Sequence, residues 1–370
     1  MSSNRPTTIE RDNDAARLVV LDDVGNGFRD SPDVWPTALQ REIDGPLVLW
    51  KLARPLGGGA LATHLVRHHK ARTVVVLDVD DLRAEGAAIS RRLSWERTAG
   101  DVIRALVHDR TFAQFHGMAH VIIRLDLEGA LHFTDLGSGD PQVTLTYVPA
   151  AIEGSTRGQL PGEMLGVGAV FCAVLARALA EAGPRTLAER LRSGTESGLA
   201  ATRALLTRGL GPVSAEGASA EPRSIISSIQ LDVKTTGVVE TVDVAPLAGR
   251  DAASRLIDYV RILPLVQLAE QIVTRGVQEV IPKAPIATFG DLETLDRAET
   301  ETYRSIRNLI GEYLAQAKPE RPLSIAVFGP PGSGKSFGVA QVAKSLGNVE
   351  KIDFNVSQFE SASALTEAFH

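Results

Sequence analysis

The stretch "SIAVFGPPGSGKSFGVAQVAKSL", residues 324–346, decides how this chain is read. An apolar run over 323–328 enters a glycine-rich turn, and a breaker-poor run leaves from Lys335. The pattern predicts a strand, a loop and a helix in that order. The loop, "GPPGSGKS", fits G-x-x-x-x-G-K-[ST] at Gly329, Gly334, Lys335 and Ser336. Gly332 and Gly334 permit backbone angles that let successive N–H groups turn inward around phosphate oxygens. The positive end of the following helix faces the same anion. Lys335 would bring a cation to the β- and γ-phosphates, and Ser336 a hydroxyl to Mg²⁺. The expected nucleotide contacts are Gly329, Pro330, Pro331, Gly332, Ser333, Gly334, Lys335 and Ser336, with ATP and Mg²⁺ as cofactors. Ser336 is the expected metal contact, through the nucleotide.

The segment resembles the start of an AAA-type ATPase module. The resemblance is carried by "GPPGSGKS", the helix "FGVAQVAKSLG" and a further strand, "VEKIDFNVSQF" (349–359), and it covers about residues 285–370. It implies ATP held between subunits of a ring, and so a homo-oligomer formed through this module. It also implies a second acidic motif that orients Mg²⁺ and water, a polar sensor, and an arginine from a neighbour. No apolar strand ending in Asp-Glu follows Ser336, and "LTEAFH" reads as the middle of a helix. The expectation is therefore a truncated portion of a longer ATPase. Phosphoryl transfer depends on metal placement and water positioning, so hydrolysis is expected to need residues past His370, and this chain alone to be inactive.

Composition sets the frame for the rest. A chain of 370 residues suffices for two or three domains, and 44% hydrophobic with 23% charged is ordinary for a globular protein. Aromatics are only 5%, so the cores must be built from Ala, Val, Leu and Ile. A net charge of −6 without a basic block argues against a nucleic-acid partner. Cys172 is the single cysteine, which excludes a disulfide within the chain; it reads as a small core residue. The N-terminus has no apolar run of the secretory kind. The longest apolar stretch, "MLGVGAVFCAVLARALA", contains Arg177 and is too short to span a bilayer. A cytoplasmic location without a membrane partner is expected.

Working back from the loop, the fold class is α/β: an N-terminal Rossmann-like parallel sheet flanked by helices, a helical linker region, then the start of the P-loop module. Residues 1–16 are expected to lack order. Residues 17–209 form the first domain, 210–223 a linker, 224–284 a hairpin and helical connector, and 285–370 the incomplete ATPase module. Strands are predicted at 16–23, 45–52, 72–79 and 143–150, and a strand–turn–strand at 119–133. Helices are predicted at 59–69, 94–109 and 162–183, and apolar strands alternating with helices point to a parallel sheet covered on both faces. In the connector, Leu265, Leu268, Ala269, Ile272 and Val273 share a helical face beyond Pro264. In the helix 296–317 that precedes the loop, Tyr303, Ile306, Leu309, Ile310 and Leu314 do so.

The first domain resembles the second half of a ribokinase-like carbohydrate kinase over about 17–185. "VVVLDVDDLR", "HVIIRLDLEGALHF", "LTYVPA" and "PGEMLGVGAVFCAVLARAL" come in that family's order. The family closes with Gly-Ala-Gly-Asp, whose glycines and helix start form an anion hole and whose Asp is the general base. Gly166 and Gly168 match the glycines and form a candidate anion site, while Ala169 stands at the base position. Alanine cannot accept a proton, so the domain reads as a catalytically degenerate pseudokinase that senses a small molecule or binds a protein.

Other clusters remain open. Asp78, Asp80 and Asp81 end a buried strand, where they bind Mg²⁺, cap the next helix or face solvent. "LDDVGNG" (21–27) is a similar exit. Glu96, Arg97 and Asp101 read as pairs on a solvated face, Trp95 as a core anchor, and His64 and His68 lie one helical turn apart. The alternatives to an ATPase with a sensor domain are a carbohydrate or nucleoside kinase in the front domain, and a non-enzymatic ATP-responsive scaffold.

Overall fold

The computed structural model describes residues 12–41, 44–57, 59–157, 166–209, 239–244, 256–261, 263–316, 321–347, 352, 361 and 363. The chain divides into two compact units, Met1–Ile286 and Ala287–His370.

The front unit is built on a seven-stranded sheet whose spatial order follows the sequence: β1 (Leu18–Asp23), β2 (Leu47–Leu52), β3 (Thr73–Asp78), β4 (His120–Leu125), β5 (Gly129–Thr134), β6 (Gln142–Tyr147) and β7 (Glu240–Asp243). The pairs β1–β2, β2–β3 and β3–β4 are parallel. From β4 onward every pair is antiparallel. The expected parallel sheet is therefore mixed, for a simple reason. The turn between β4 and β5 is only as long as Asp126, Leu127 and Glu128, too short for the crossover that a parallel neighbour requires.

Side-chain alternation along the parallel strands feeds two cores. Val75, Leu77, Val121 and Ile123 face α1 (Gly59–His68), α2 (Val79–Ala84) and α3 (Trp95–His108). Val74, Val76 and Ile122 face α4 (Val167–Ala180) and α5 (Leu187–Arg208). The connections between successive parallel strands all contribute to the first core, so the second face depends on α4 and α5 for cover. Those two helices approach closely because α5 offers bare positions. A Cβ at Gly194 would lie 2.7 Å from Leu175, and one at Gly198 2.8 Å from Phe171. Thr186 and Glu189 close a capping box at the start of α5.

Residues 12–16, expected to lack order, are tied down. Asp12 accepts from the Thr37 amide at 2.9 Å, and Ala16 O accepts from Arg41 at 2.5 Å. Residues 1–11, the predicted linker 210–223 and the first part of the predicted hairpin lie outside the described residues. The described end of that hairpin adds to the front sheet as β7, with Val242 opposite Leu145. Then follow α6 (Ile257–Val260), α7 (Leu265–Arg275), for which Pro264 is the N-cap, and α8 (Val277–Val280). On the apolar face of α7 only Leu268 is buried, and Val273 is 87% exposed.

The second unit contains a hairpin, β8 (Ala287–Phe289) and β9 (Leu292–Thr294), followed by α9 (Arg297–Leu314) and α10 (Lys335–Lys344). Ala287, Phe289 and Val342 form its core with Leu292, Tyr303, Ile306 and Ile310. Leu309 and Leu314, predicted on the same face of α9, are half-exposed. The strand predicted at 323–328 does not form: these residues pair with no described strand and are all exposed. A strand needs a neighbour to satisfy its N–H and C=O groups, and none stands beside it among the described residues. Apart from Ile352, the predicted strand 349–359 lies outside them.

One fold-level consequence is a pH dependence. His132 sits 3.3 Å from His120 across β4 and β5, and burial, aided by the neighbouring imidazole, pushes its pKa down to about 3. An imidazole depressed in the folded state protonates first in the unfolded chain. Its stabilisation is complete above pH 6.5 and is lost as pH falls toward 3, at no more than about 1.4 kcal/mol per pH unit. Urea unfolding followed by tryptophan fluorescence reports this unit, since Trp35, Trp50 and Trp95 all lie in it. Stability should fall from pH 6.5 to 5.5 in the wild type and fall less steeply in His132→Asn.

Candidate functional site

Residues 329–336, read from the sequence as a phosphate loop, form a turn that leads into a helix. Gly332 (φ 77°) and Gly334 (φ 76°) are both left-handed, and Gly334 caps α10, which starts at Lys335. The Ser333 amide donates to Pro330 O at 3.3 Å, and the Gly338 amide to Gly334 O at 2.8 Å. The Lys335 ammonium turns back over the loop. It donates to Gly329 O at 2.7 Å and Pro330 O at 2.6 Å, with Ser333 Oγ at 3.3 Å. A cation and the N-terminus of a ten-residue helix thus converge on one short loop. Pro331 and Ser336 lie exposed on its outer surface.

Packing fixes α10 and therefore the loop. Gly338 leaves room for Tyr303 of α9, since a Cβ there would lie 2.6 Å from the phenol oxygen. The Gln341 carboxamide oxygen accepts from the Asp291 amide at 2.8 Å, and Lys344 pairs with the Asp291 carboxylate at 2.8 Å. The tip of the β8–β9 hairpin is thereby fastened to the helix that carries Lys335. Between α9 and the loop lies a cavity of about 370 Å³, lined among others by Glu299, Tyr303, Ile306, Phe328, Gly329 and Lys335.

In the front unit, Gly166 (φ 82°) opens α4. Gly168 lets the first turn of α4 approach the sheet, because a Cβ there would lie 3.0 Å from Arg124 Nη1 and 3.2 Å from Lys51 Cε. Residues 158–165, which precede this turn, lie outside the described residues. Lys51 pairs with Asp22 at 3.0 Å, and Arg124 Nε lies 2.9 Å from Asp78 and over the Phe171 ring. Arg124 is 4% exposed, and its Nη1 has no hydrogen-bond partner among the described residues. A cavity of about 320 Å³ opens here at the carboxyl ends of β3 and β4, where ligands of open α/β sheets sit.

The acidic side chains around this cavity are largely committed to arginines. Asp80 meets Arg83 and Arg91 at 3.0 Å each, Asp126 meets Arg157 at 2.8 Å, and Arg83 also pairs with Glu153. Burial, and Asp78 nearby, push the Asp81 carboxyl up. Among the described residues no group of three His, Cys, Asp or Glu side chains could hold a metal ion. The Mg²⁺ reading of Asp78, Asp80 and Asp81 therefore gains no geometry. Asp23 of "LDDVGNG" closes its own turn, accepting from the Phe28 amide at 3.0 Å.

Two sequence expectations are corrected here. Glu96 and Asp101, read as solvated, are both buried. Glu96 accepts from the Leu256 amide at 2.8 Å, and Asp101 accepts from the Ser90 amide at 2.9 Å while pairing with Arg97 and Arg104. Glu96 reaches backbone 160 residues along the chain and Asp101 backbone 11 residues before it, which helical spacing does not foretell. Trp95 packs in the core and donates to Ala151 O at 2.9 Å. Cys172 is buried and its thiol is pushed up to about 12, as befits a core residue. Lys51 and Arg124 were not singled out from the sequence. Their signal was a lone charge inside an otherwise apolar strand, "LVLWKL" and "HVIIRL".

Comparisons with protein-family models, with curated proteins and with solved structures find no match.

The seat of α10 is testable. Gly338→Leu should destabilise the second unit by about 1–3 kcal/mol through overpacking against Tyr303, and Tyr303→Ala in the same chain should recover part of the loss. Hydrogen exchange of α9 and α10 amides measures both effects.

Proposed function

We propose that the second unit binds ATP with Mg²⁺ through residues 329–336, as the phosphate grip of an AAA-type module. The observation that carries this reading is the left-handed pair Gly332 and Gly334 leading straight into a helix whose first residue is Lys335. Backbone N–H groups and the helix terminus would surround the phosphates. Lys335, now bonded to two loop carbonyls, would turn to the β- and γ-phosphates, and the exposed Ser336 hydroxyl would meet Mg²⁺. The cavity beside α9 supports the reading, because it gives the remainder of a nucleotide an adjoining space. Assembly into a ring through this module belongs to the same proposal. In a titration with labelled ATP, Lys335→Ala should weaken binding at least tenfold. Equal affinity of the two proteins contradicts the proposal.

A second reading concerns the front unit: a degenerate ribokinase-like domain that senses an anion without chemistry. It is favoured by one observation, the buried Arg124 with Nη1 unpartnered among the described residues and set against Gly168 at the first turn of α4. Ala169 offers no proton acceptor. Inorganic phosphate or pyrophosphate should raise the unfolding temperature of the wild type and leave that of Arg124→Met unchanged. Phosphorylation of any member of a sugar panel by the chain would instead favour a kinase.

A further inference from the structure

We propose that the segment 32–41 between β1 and β2 is a pH-operated latch, closed by His64 and His69 onto one backbone carbonyl, Leu39 O. The connection folds as two short 3-10 turns, Pro32–Val34 and Thr37–Gln40, and it buries Trp35, Ala38 and Leu39 in the core beside α1. His64 Nε2 and His69 Nε2 each lie 2.9 Å from Leu39 O. A carbonyl only accepts, so both rings present Nε2–H to it and both keep Nδ1 as the bare nitrogen while neutral.

Among the described residues the bare nitrogen of His69 has no acceptor for a proton. His69 is 2% exposed, and its Nδ1 has no hydrogen-bond partner among the described residues. The ring is pressed against Gly45, where a Cβ would lie 2.7 Å from Nδ1. The described groups around it are cationic or neutral, apart from one exposed carboxylate. From α1 come His64 and His68, whose rings stand 4.8 Å apart, with His64 5.5 Å from His69. From the turn Lys70–Arg72 comes Arg72, which donates to Gly45 O at 2.6 Å. From the connection itself come Arg41, which donates to Ala16 O, and Asp44, a carboxylate 91% exposed and paired with Arg72 at 3.4 Å. No buried anion answers a charged imidazole here among the described residues.

Protonating His69 in place would create a buried N–H without an acceptor beside like charge. Opening the connection is the alternative that lets the ring charge in water. Burial, and then the neighbouring histidines and Arg72, hold His69 below the ordinary imidazole value, although its bond to Leu39 O works the other way. The sign follows. The latch is closed above about pH 6.5 and loses hold as pH falls below it. Trp35, whose ring is 5.1 Å from His64, moves with it.

The test uses the full chain. Amide exchange, corrected for intrinsic rates, is measured at pH 7.5 and 5.5. The segment 32–41 should lose at least tenfold protection at the lower pH relative to residues 73–78 of β3. His64→Gln with His69→Gln keeps N–H donors for Leu39 O but cannot titrate, and its 32–41 protection should not change with pH. Equal protection of the wild type at both pH values overturns the latch, as does a pH dependence that survives in the double variant. Should that variant fail to fold, the emission difference between wild type and Trp35→Phe decides. It should shift and weaken between pH 7.5 and 5.5, and a flat difference overturns the proposal.

Discussion

Parallel strands carry apolar side chains on both faces, and that requirement shapes the front unit. β1 to β4 lie side by side in sequence order, and the segments joining them pack into one core. The opposite face, with Leu49, Val74, Val76 and Ile122, must be covered by something else. The pair α4 and α5 does so, and the glycines of α5 set how closely the two helices meet. Covering that face also brings the start of α4 over the carboxyl ends of the strands, where Lys51 and Arg124 project. The candidate anion site is thus a by-product of burial: the same packing that dries the sheet assembles a helix terminus and two cations.

The second unit follows a more local logic. The turn at Gly332 and Gly334 and the helix after it form although the apolar run before them has no strand partner among the described residues. Two left-handed glycines and the first turn of α10 define the loop, and these depend on neighbours in sequence. The helix itself is located by Tyr303 against Gly338 and by Gln341 and Lys344 on the hairpin tip. The turn into α10 can therefore form while, among the described residues, the strand predicted before it does not. Phe328, 90% exposed immediately before Gly329, marks where the local rule stops and a tertiary one would begin.

What was legible in the sequence divides along the same line. Strands β1 to β6, the helices around them and the loop residues were readable because period, turn chemistry and glycine placement are local signals. The reversal of direction at β5 was implicit in a turn too short for a crossover. The strand at 323–328 was not readable as absent, since apolarity reports a tendency and pairing needs a partner. Burial of Glu96 and Asp101 was invisible for a similar reason, since their hydrogen bonds run to Leu256 and Ser90. The convergence of His64 and His69 on Leu39 O likewise depends on a turn folding back over α1. Lys51 and Arg124 did leave a trace, each a lone charge in an apolar strand.

The central claim is that residues 329–336 grip a nucleotide through their backbone. Amide exchange across that loop, with and without Mg·ATP, addresses it directly. The account predicts protection on binding that is concentrated at Gly332, Ser333, Gly334, Lys335 and Ser336 and absent with Mg²⁺ alone. Saturating Mg·ATP that leaves those amides unchanged, or that protects only the front unit, would contradict it.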